Sequence, residues 1–220
     1  IREAAEKSGG KKVYLEEEPK VAAIGAGMDI FQPSGNMVVD IGGGTTDIAV
    51  LSMGDIVTSE SIKVAGDVFD NDILQYIKRE YKLLIGERTA EQIKMTIGTV
   101  WPQTRKETME IRGRDMVTGL PRTIEINSDE IARALHESVS MIVQSAKNVL
   151  EKTPPELAAD ISDKGIYMTG GGCLLDGLDK LLQEKTGINV MIAEDAVSCV
   201  AIGTGKALDN LDSLEGKTRR

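Results

Sequence analysis

Cysteine and histidine are scarce in this sequence, and their scarcity excludes several kinds of site. Of 220 residues, 2 are cysteine and 1 is histidine. Two cysteines are too few for a disulfide framework and are typical of a reducing compartment. His136, the single histidine, lies on the predicted exposed face of a long helix. Catalytic triads and histidine metal sites are therefore excluded.

A surplus of basic residues and a long apolar run are also missing. Lys and Arg together number 26 against 35 Asp and Glu, which gives a net charge of -9. Proteins that bind nucleic acid neutralise its phosphates with Lys and Arg, so this balance argues against nucleic-acid binding. No apolar run is long enough to span a bilayer. With 41% apolar and 28% charged residues, the composition is that of an ordinary globular chain.

The most distinctive stretch is DIGGGTTD, residues Asp40–Asp47, which lies between two apolar runs. This pattern predicts a β-hairpin whose turn is Gly42–Gly44. Glycines leave backbone N–H groups uncovered for an anion, Thr45 and Thr46 add hydroxyl donors, and Asp40 can hold a hydrated divalent cation. The stretch predicts a site for the terminal phosphates of a nucleotide and their metal. The alternative is a tight glycine turn that binds nothing.

Strands and helices alternate along the rest of the chain, which predicts an α/β fold with a mixed sheet. Residues 66–126 form a candidate inserted subdomain between two larger segments. Ser128 is the predicted N-cap of the longest helix, which ends at Pro154-Pro155, and Thr89 is the predicted N-cap of a shorter one.

Three further motifs have both a functional and a plain structural interpretation. Glu18 ends an acidic run before Pro19, where the plain interpretation is a solvated helix start. Glu91 and Lys94 share one helical face, which is also typical of a surface ion pair. Gly170–Gly172 follows a predicted strand and precedes a helix, where N–H groups favour anions.

Together with a predicted last helix whose small-residue face is Ala201, Gly203 and Gly205, these motifs resemble, in sequence and in order, the signature motifs of the superfamily of actin, Hsp70 and sugar kinases. They correspond to the first connecting helix, the second phosphate loop, the adenosine loop and the second connecting helix. The amino-acid sequence around these motifs is similar to that of the MreB/Mbl family of bacterial actins over essentially the whole chain. The stretches that carry this resemblance are LEEEPKVAAIGAG, SGNMVVDIGGGTTDIAVLSMG, YKLLIGERTAEQIK, RGRDMVTGLPR, LEKTPPELAADI and TGGGCLLDGLDKLL.

The resemblance implies an actin-like ATPase (RNase H-like) lobe. Residues 1–65 and 127–220 would form the RNase H-like subdomain, and residues 66–126 the smaller inserted α+β subdomain. The first phosphate loop of the family has no counterpart in this sequence, so the N-terminal lobe is absent and the chain is interpreted as the C-terminal part of a longer protein. With half of the phosphate cleft missing, we expect this chain by itself to bind ATP weakly and to hydrolyse it at a rate close to background.

The resemblance also assigns roles to residues. Glu18 would orient the water that attacks the γ-phosphate, with help from Thr45, and Asp40 would hold Mg²⁺ through water. The phosphates would lie against Gly42, Gly43, Gly44, Thr45 and Thr46. Ribose and adenine would contact the adenosine helix, at Glu91, Gln92, Ile93 and Lys94. The adenine and the α-phosphate would lie over the second glycine loop, at Gly170, Gly171, Gly172 and Cys173.

The implied function is that of an ATP-binding, ATP-hydrolysing cytoskeletal protein that polymerises head to tail and determines rod shape in bacteria. Its partners would be further copies of itself, the cell-wall elongation machinery and a membrane-anchored cell-shape protein. It would be cytoplasmic and would reach the inner face of the membrane through the missing lobe. The alternatives within the superfamily are an Hsp70-like chaperone ATPase and a sugar or acetate kinase.

Overall fold

The computed structural model describes residues 1–101 and 104–217, with side chains up to residue 209. The larger of its two sheets has five strands in the order β3-β2-β1-β7-β8. These strands are β1 (Asn36–Ile41), β2 (Thr46–Ser52), β3 (Asp55–Ile62), β7 (Ile166–Thr169) and β8 (Val190–Ile192). The helices are α1 (Arg2–Lys7), α2 (Glu18–Gly25), α3 (Gly66–Tyr81), α4 (Glu87–Ile97), α5 (Ser128–Lys152), α6 (Pro155–Lys164), α7 (Leu178–Thr186) and α8 (Cys199–Lys217).

The centre of the larger sheet is the predicted glycine hairpin. Strand β1 is buried along its whole length, because both faces of the sheet are covered by helices. It pairs antiparallel with β2, and β2 pairs antiparallel with β3, as the apolar runs predicted. On its other side β1 pairs parallel with β7, and β7 pairs parallel with β8. The prediction of an α/β fold with a mixed sheet is confirmed.

The smaller sheet comes entirely from the predicted insertion. It consists of β4 (Leu83–Leu84), β5 (Thr108–Asp115) and β6 (Pro121–Asn127), with β5 in the middle. Helices α3 and α4 belong to the same stretch of chain. One continuous apolar cluster, however, contains core residues of both sheets, such as Met37 and Ile111. The division into two subdomains stays a prediction.

The start of α5 differs by one residue from the sequence prediction. The N-cap is Asn127 instead of Ser128: its side-chain oxygen accepts from the Glu130 N–H at 3.1 Å, and the Glu130 carboxylate accepts from the Asn127 N–H at 2.9 Å. This reciprocal pair is a capping box. Ser128 is buried, and its hydroxyl donates to the Glu107 carbonyl at 3.2 Å, so it is not available to cap the helix.

Two other helix boundaries also differ from the prediction. Helix α4 begins at Glu87, so Thr89 lies inside its first turn and is not the N-cap. Pro154-Pro155 does end α5, but Pro155 also opens α6, a helix that the sequence pattern did not indicate. Proline is favoured at the first helical position because the N–H it lacks would have no partner there. No helix within the described residues is both long and apolar enough to cross a lipid bilayer.

Helices α2 and α8 approach each other more closely than any residue with a side chain would permit. A Cβ atom on Gly203 would lie 1.7 Å from the Val21 carbonyl oxygen, and one on Gly25 would lie 1.8 Å from the Cys199 carbonyl oxygen. Both distances are far below van der Waals contact. The two helices therefore cross backbone against backbone, and this crossing requires glycine on each side.

Replacement of Gly203 by alanine tests this crossing. We expect Gly203→Ala to lower the free energy of unfolding by about 3 kcal/mol or more, because the new methyl group would overlap a backbone carbonyl. Gly205→Ala on the same helix is the matched control. A Cβ there meets nothing within 4 Å, so we expect it to raise the free energy of unfolding by about 0.5–1 kcal/mol through helix propensity. Urea denaturation measures both, and equal effects would contradict the close crossing.

Candidate nucleotide site at the glycine loops

The turn between β1 and β2 presents bare backbone at the surface. The Gly42 N–H donates to the Thr45 carbonyl at 2.9 Å and closes the turn. Gly43 and Gly44 are exposed. A Cβ on Gly44 would meet nothing within 4 Å, and one on Gly43 would meet only the Asp67 carboxylate, at 3.5 Å. Accessible amides in such a turn form a surface that an anion can approach.

The two threonines of the turn have different environments. Thr45 is half-buried at the edge of the turn. Thr46, the first residue of β2, is fully buried, and its hydroxyl donates to the Val64 carbonyl at 2.6 Å. The prediction that the Thr46 hydroxyl contacts phosphate is wrong, because its side chain points into the sheet and its proton is already donated. Thr45 remains as the hydroxyl candidate.

The second glycine loop lies directly beside the first. It follows β7, the parallel neighbour of β1, and Thr169 at the end of β7 is in register with Asp40. Gly170 has φ of +81°, and a Cβ there would lie 2.2 Å from the Ile41 carbonyl oxygen. A Cβ on Gly172 would lie 2.4 Å from Ile41 Cγ2. Glycine at both positions lets the two loops meet at the carboxyl ends of adjacent parallel strands, where α/β proteins commonly bind ligands.

Asp40 is the buried carboxylate between the two loops. It is 3% exposed and accepts a hydrogen bond from the Thr169 hydroxyl at 2.9 Å. Burial raises the pKa of Asp40 from 3.8 to about 6; the hydrogen bond from Thr169 lowers it in part, and the charges of Glu18 and Asp47 raise it further. The Asp40 anion is thus held in an unfavourable position that a nearby cation would relieve.

The donor set around Asp40 suits a hydrated cation better than a dehydrated one. Among the described side chains, residues 1–101 and 104–209, no three His, Cys, Asp or Glu side chains come close enough together to enclose a metal ion. Mg²⁺ usually keeps several waters and takes one or two carboxylates together with substrate phosphates. Asp40 at the end of β1, beside a turn of free amides, fits that pattern.

Glu18 is exposed at the first position of α2. It lines a cavity of about 290 Å³ together with Asp47, the residue opposite Asp40 in the hairpin. Its charge also contributes to the raised pKa of Asp40. Glu18 therefore faces the same region as the glycine hairpin, as expected of a residue that acts there.

The predicted adenosine helix α4 divides into two sets of side chains. Glu91 and Gln92 are exposed, and the Lys94 ammonium lies 3.2 Å from the Gly66 carbonyl oxygen and 3.0 Å from Asp70 Oδ2. Ile93 is fully buried in the main apolar cluster. Helical periodicity turns the Ile93 side chain towards the core, so only the backbone of this predicted site residue is left for a ligand.

Cys173 is also a packing residue. It is fully buried within a short 3₁₀-helix, Gly171–Leu174. Burial raises the pKa of the Cys173 thiol to about 12, with further contributions from the charges of Asp40 and Cys199. The thiol is therefore protonated and inert at neutral pH, so only the backbone of Cys173 is available to a ligand.

Residues that the sequence pattern did not indicate also support the site. The Gly66 N–H donates to the Gly42 carbonyl at 3.1 Å, and the Asp67 N–H donates to the Gly43 carbonyl at 2.8 Å. The first turn of α3 thus fixes the position of the glycine turn through these two hydrogen bonds. The Gly66-Asp67 pair, a short distance after β3, is the sequence feature from which this helix start could have been found. Thr169, which orients Asp40, had no such feature.

A larger cavity lies elsewhere in the molecule. Its volume is about 560 Å³, and its lining includes Trp101, Val143 on α5 and Leu181 on α7. None of the predicted site residues lines it. The glycine loops, with their exposed backbone and buried carboxylate, remain the better candidate for a nucleotide.

Comparison with known proteins first defines the fold class. The crystal structure of MreB 5 of Spiroplasma citri bound to AMPPNP superposes with a TM-score of 0.94 and 43% sequence identity, over 99% of this chain and 65% of that one. The MamK double helical filament shares the same fold, with a TM-score of 0.73 and 22% identity over 88% of this chain and 58% of that one. The predicted actin-like ATPase fold is confirmed.

The family follows from the sequence. The profile described as "MreB/Mbl protein" matches residues 1–216, and the chain belongs to this family of bacterial actins. The cell shape-determining protein Mbl of Bacillus subtilis (strain 168) is 72% identical over 214 residues, which cover 97% of this chain and 64% of that protein. The chain thus spans about two thirds of the length of the relatives it matches. Membership excludes the chaperone and metabolic-kinase alternatives.

Replacement of Asp40 by asparagine tests its unfavourable charge. Because the pKa of Asp40 is raised on folding, Asp40 is protonated in the folded chain and ionised in the unfolded chain between about pH 4 and pH 6. The contribution of Asp40 to the free energy of unfolding therefore falls as pH rises through this window. We expect Asp40→Asn, without metal or nucleotide, to raise the free energy of unfolding at pH 8 by up to about 3 kcal/mol. The difference should disappear below about pH 4.

Urea denaturation in the presence of a chelator, at several pH values, measures this difference. Asp47→Asn is the matched control: it removes a carboxylate from the same hairpin but from a half-buried position, so a smaller effect is expected. An Asp40→Asn chain that is less stable than the unsubstituted chain at pH 8 would contradict the account of Asp40.

Proposed function

We propose that this chain is the part of a cell-shape-determining bacterial actin that binds ATP and Mg²⁺ between two glycine loops. The single observation that carries this proposal is the contact of the two loops at the ends of β1 and β7, with the buried carboxylate of Asp40 between them. The MreB 5 relative, whose structure was solved with AMPPNP, an ATP analogue, supports the choice of nucleotide.

Each group of residues has a distinct task in this proposal. The amides of Gly43 and Gly44 and the Thr45 hydroxyl contact the β- and γ-phosphates, and Gly42, whose N–H is donated to the Thr45 carbonyl, holds the turn closed. The backbone of Gly170–Cys173 lies against the α-phosphate and the adenine, while Glu91, Gln92 and Lys94 contact the ribose and the adenine. Backbone amides and cations suit this work because the triphosphate carries several negative charges.

Mg²⁺ would supply charge neutralisation between the β- and γ-phosphates. Asp40 would hold it through water, and the cation would offset the repulsion that Asp40 experiences from Glu18 and Asp47. Glu18, exposed at the start of α2 and facing the hairpin through a shared cavity, would orient the attacking water. Hydrolysis by positioning of this kind requires little covalent chemistry from the protein.

In the full-length protein, the missing lobe would supply the opposite wall of the cleft. Nucleotide bound between the lobes would bias their closure, and hydrolysis would change the stability of contacts between copies. A head-to-tail contact between identical chains generates an open filament when its rotation does not close. The Bacillus subtilis relative, a cell shape-determining protein, supports a role in rod shape.

The same proposal places the filament in the cytoplasm, at the inner face of the cell membrane. Contact with the membrane would come from the lobe outside this chain. The partners would be the cell-wall elongation machinery and a membrane-anchored cell-shape protein. This chain by itself would bind ATP weakly, because it carries only one wall of the phosphate cleft.

Sedimentation of the full-length protein with Mg²⁺ and ATP tests this function. We expect an ATP-dependent pellet of polymer. We expect Glu18→Ala to keep its affinity for ATP and its ability to form polymer, but to lose turnover by about 100-fold or more, since a positioned acid or base contributes about that much.

Glu17→Ala is the matched control, because Glu17 is also exposed and lines the same cavity but precedes α2. We expect it to leave turnover unchanged. No pellet under any nucleotide or salt condition would contradict the filament proposal. If Glu18→Ala retained ATP turnover, Glu18 would have no part in hydrolysis and would only occupy the start of α2.

A further inference from the structure

The ammonium of Lys94 is held in a specific position by the first turns of α3. It lies 3.0 Å from Oδ2 and 2.9 Å from Oδ1 of Asp70, and 3.2 Å from the carbonyl oxygen of Gly66. Both side chains of the Lys94–Asp70 pair are 17% exposed. Fully exposed ion pairs hold their side chains loosely, whereas a lysine with several contacts in a partly buried position is restricted to one orientation.

This position is adjacent to the glycine turn. The same Gly66 whose carbonyl accepts from Lys94 donates its N–H to the Gly42 carbonyl at 3.1 Å. A Cβ on Gly66 would lie 3.3 Å from the Gly42 carbonyl oxygen and 3.6 Å from the Lys94 ammonium. One residue of backbone therefore separates the Lys94 ammonium from the turn that would hold the phosphates.

Asp70 is an unusual partner for a purely structural ion pair. Both of its oxygens face the Lys94 ammonium, Oδ2 at 3.0 Å and Oδ1 at 2.9 Å, and Oδ1 has no further partner among the described residues. Burial raises the pKa of Asp70, and the charges of Glu91 and Asp67 add to this effect, against the lowering by Lys94. A partly buried carboxylate that relies on a single lysine for its charge compensation is typical of functional sites.

Asp72, two residues further along α3, shows the contrast. It is also partly buried and its pKa is also raised by burial, but its carboxylate accepts a hydrogen bond from Ser138 on α5. Within the part of the chain that the structure describes, Asp72 has no hydrogen bond or ion pair with Lys94 or with the glycine turn. The two acids share a helix and a charge, and they differ in whether they face the candidate nucleotide site.

We propose that Asp70 is a positioning residue for the nucleotide: it fixes the Lys94 ammonium beside the glycine turn, in the orientation that binds ATP and ADP. This inference rests on the proposed function. Asp70 acts through Lys94 and does not touch the reacting atoms. It sets the affinity for nucleotide and leaves the hydrolytic step unchanged.

The test uses the full-length protein with Asp70→Asn, Lys94→Ala, the double variant, and Asp72→Asn as the matched control. We expect Asp70→Asn to weaken Mg²⁺-dependent binding of ATP and ADP by about tenfold, the size of one charge-assisted hydrogen bond. The KM for ATP should rise by about the same factor, with kcat within about twofold. The double variant should bind no more weakly than Lys94→Ala, because Asp70 acts through Lys94.

Calorimetric titration measures binding, and urea denaturation measures stability in the same variants. Asp72→Asn should leave nucleotide affinity unchanged even if it lowers the free energy of unfolding. Asp70→Glu keeps the charge and is the second variant if Asp70→Asn fails to fold. We expect its affinity for ATP to lie within about threefold of that of the unsubstituted protein.

Several results would overturn the inference. Unchanged affinity in Asp70→Asn would reduce the pair to a structural contact between α3 and α4. Tighter binding would mean that Asp70 competes with the nucleotide for Lys94. Additive losses in the double variant would mean that the two residues act independently. Absence of ATP binding by the unsubstituted full-length protein would instead overturn the proposed function, and this inference with it.

Discussion

The close approach of two glycine loops at the ends of adjacent parallel strands is the constraint on which the rest of the structure depends. Strand β1 ends at Ile41, and a Cβ at Gly170 would lie 2.2 Å from its carbonyl oxygen. Without glycine there, β7 could not continue into its loop beside the hairpin. This approach buries Asp40, brings Thr169 into hydrogen-bond distance of it, and leaves bare backbone on both loops. Geometry and electrostatics of the candidate site therefore have one common cause.

The helices around the two glycine loops are also held in place by close backbone contacts. On one side, the first turn of α3 holds the hairpin turn through the Gly66 and Asp67 amides, and Lys94 joins α4 to the same point. On the other side, α2, which begins with Glu18, crosses α8 at backbone distance through Gly25 and Gly203. The glycine turn is thus bonded directly to the predicted insertion through α3 and Lys94.

Much of this arrangement was predictable from the sequence. The glycine hairpin, the buried strands beside it and the second glycine loop all follow from local patterns, since apolar runs and glycines act over a few residues. The exceptions concern which way a side chain faces. Thr46 and Ile93 were assigned to the ligand but are buried, because strand register and helix phase decide their direction and a motif does not specify either. Asn127 displaced Ser128 as N-cap because a tertiary contact with Glu107 occupied the serine.

Contacts between distant segments were beyond local patterns altogether. The bond from Thr169 to Asp40 and the Lys94–Asp70 pair join residues far apart in the chain, and only the folded backbone brings them together. Family resemblance supplied the roles of the motifs, and the structure supplied their neighbours. Both were needed to distinguish side chains that can reach a ligand from those that only support it.

Hydrogen–deuterium exchange of the full-length protein, with and without Mg²⁺ and a non-hydrolysable ATP analogue, tests the central claim most directly. A nucleotide held between the two loops covers their exposed amides, so we expect new protection at residues 43–45 and 171–172 together; the Gly42 and Gly170 amides are already donated within the chain. Protection that instead appears around Trp101 and the cavity of about 560 Å³, with both glycine loops unchanged, would contradict the account.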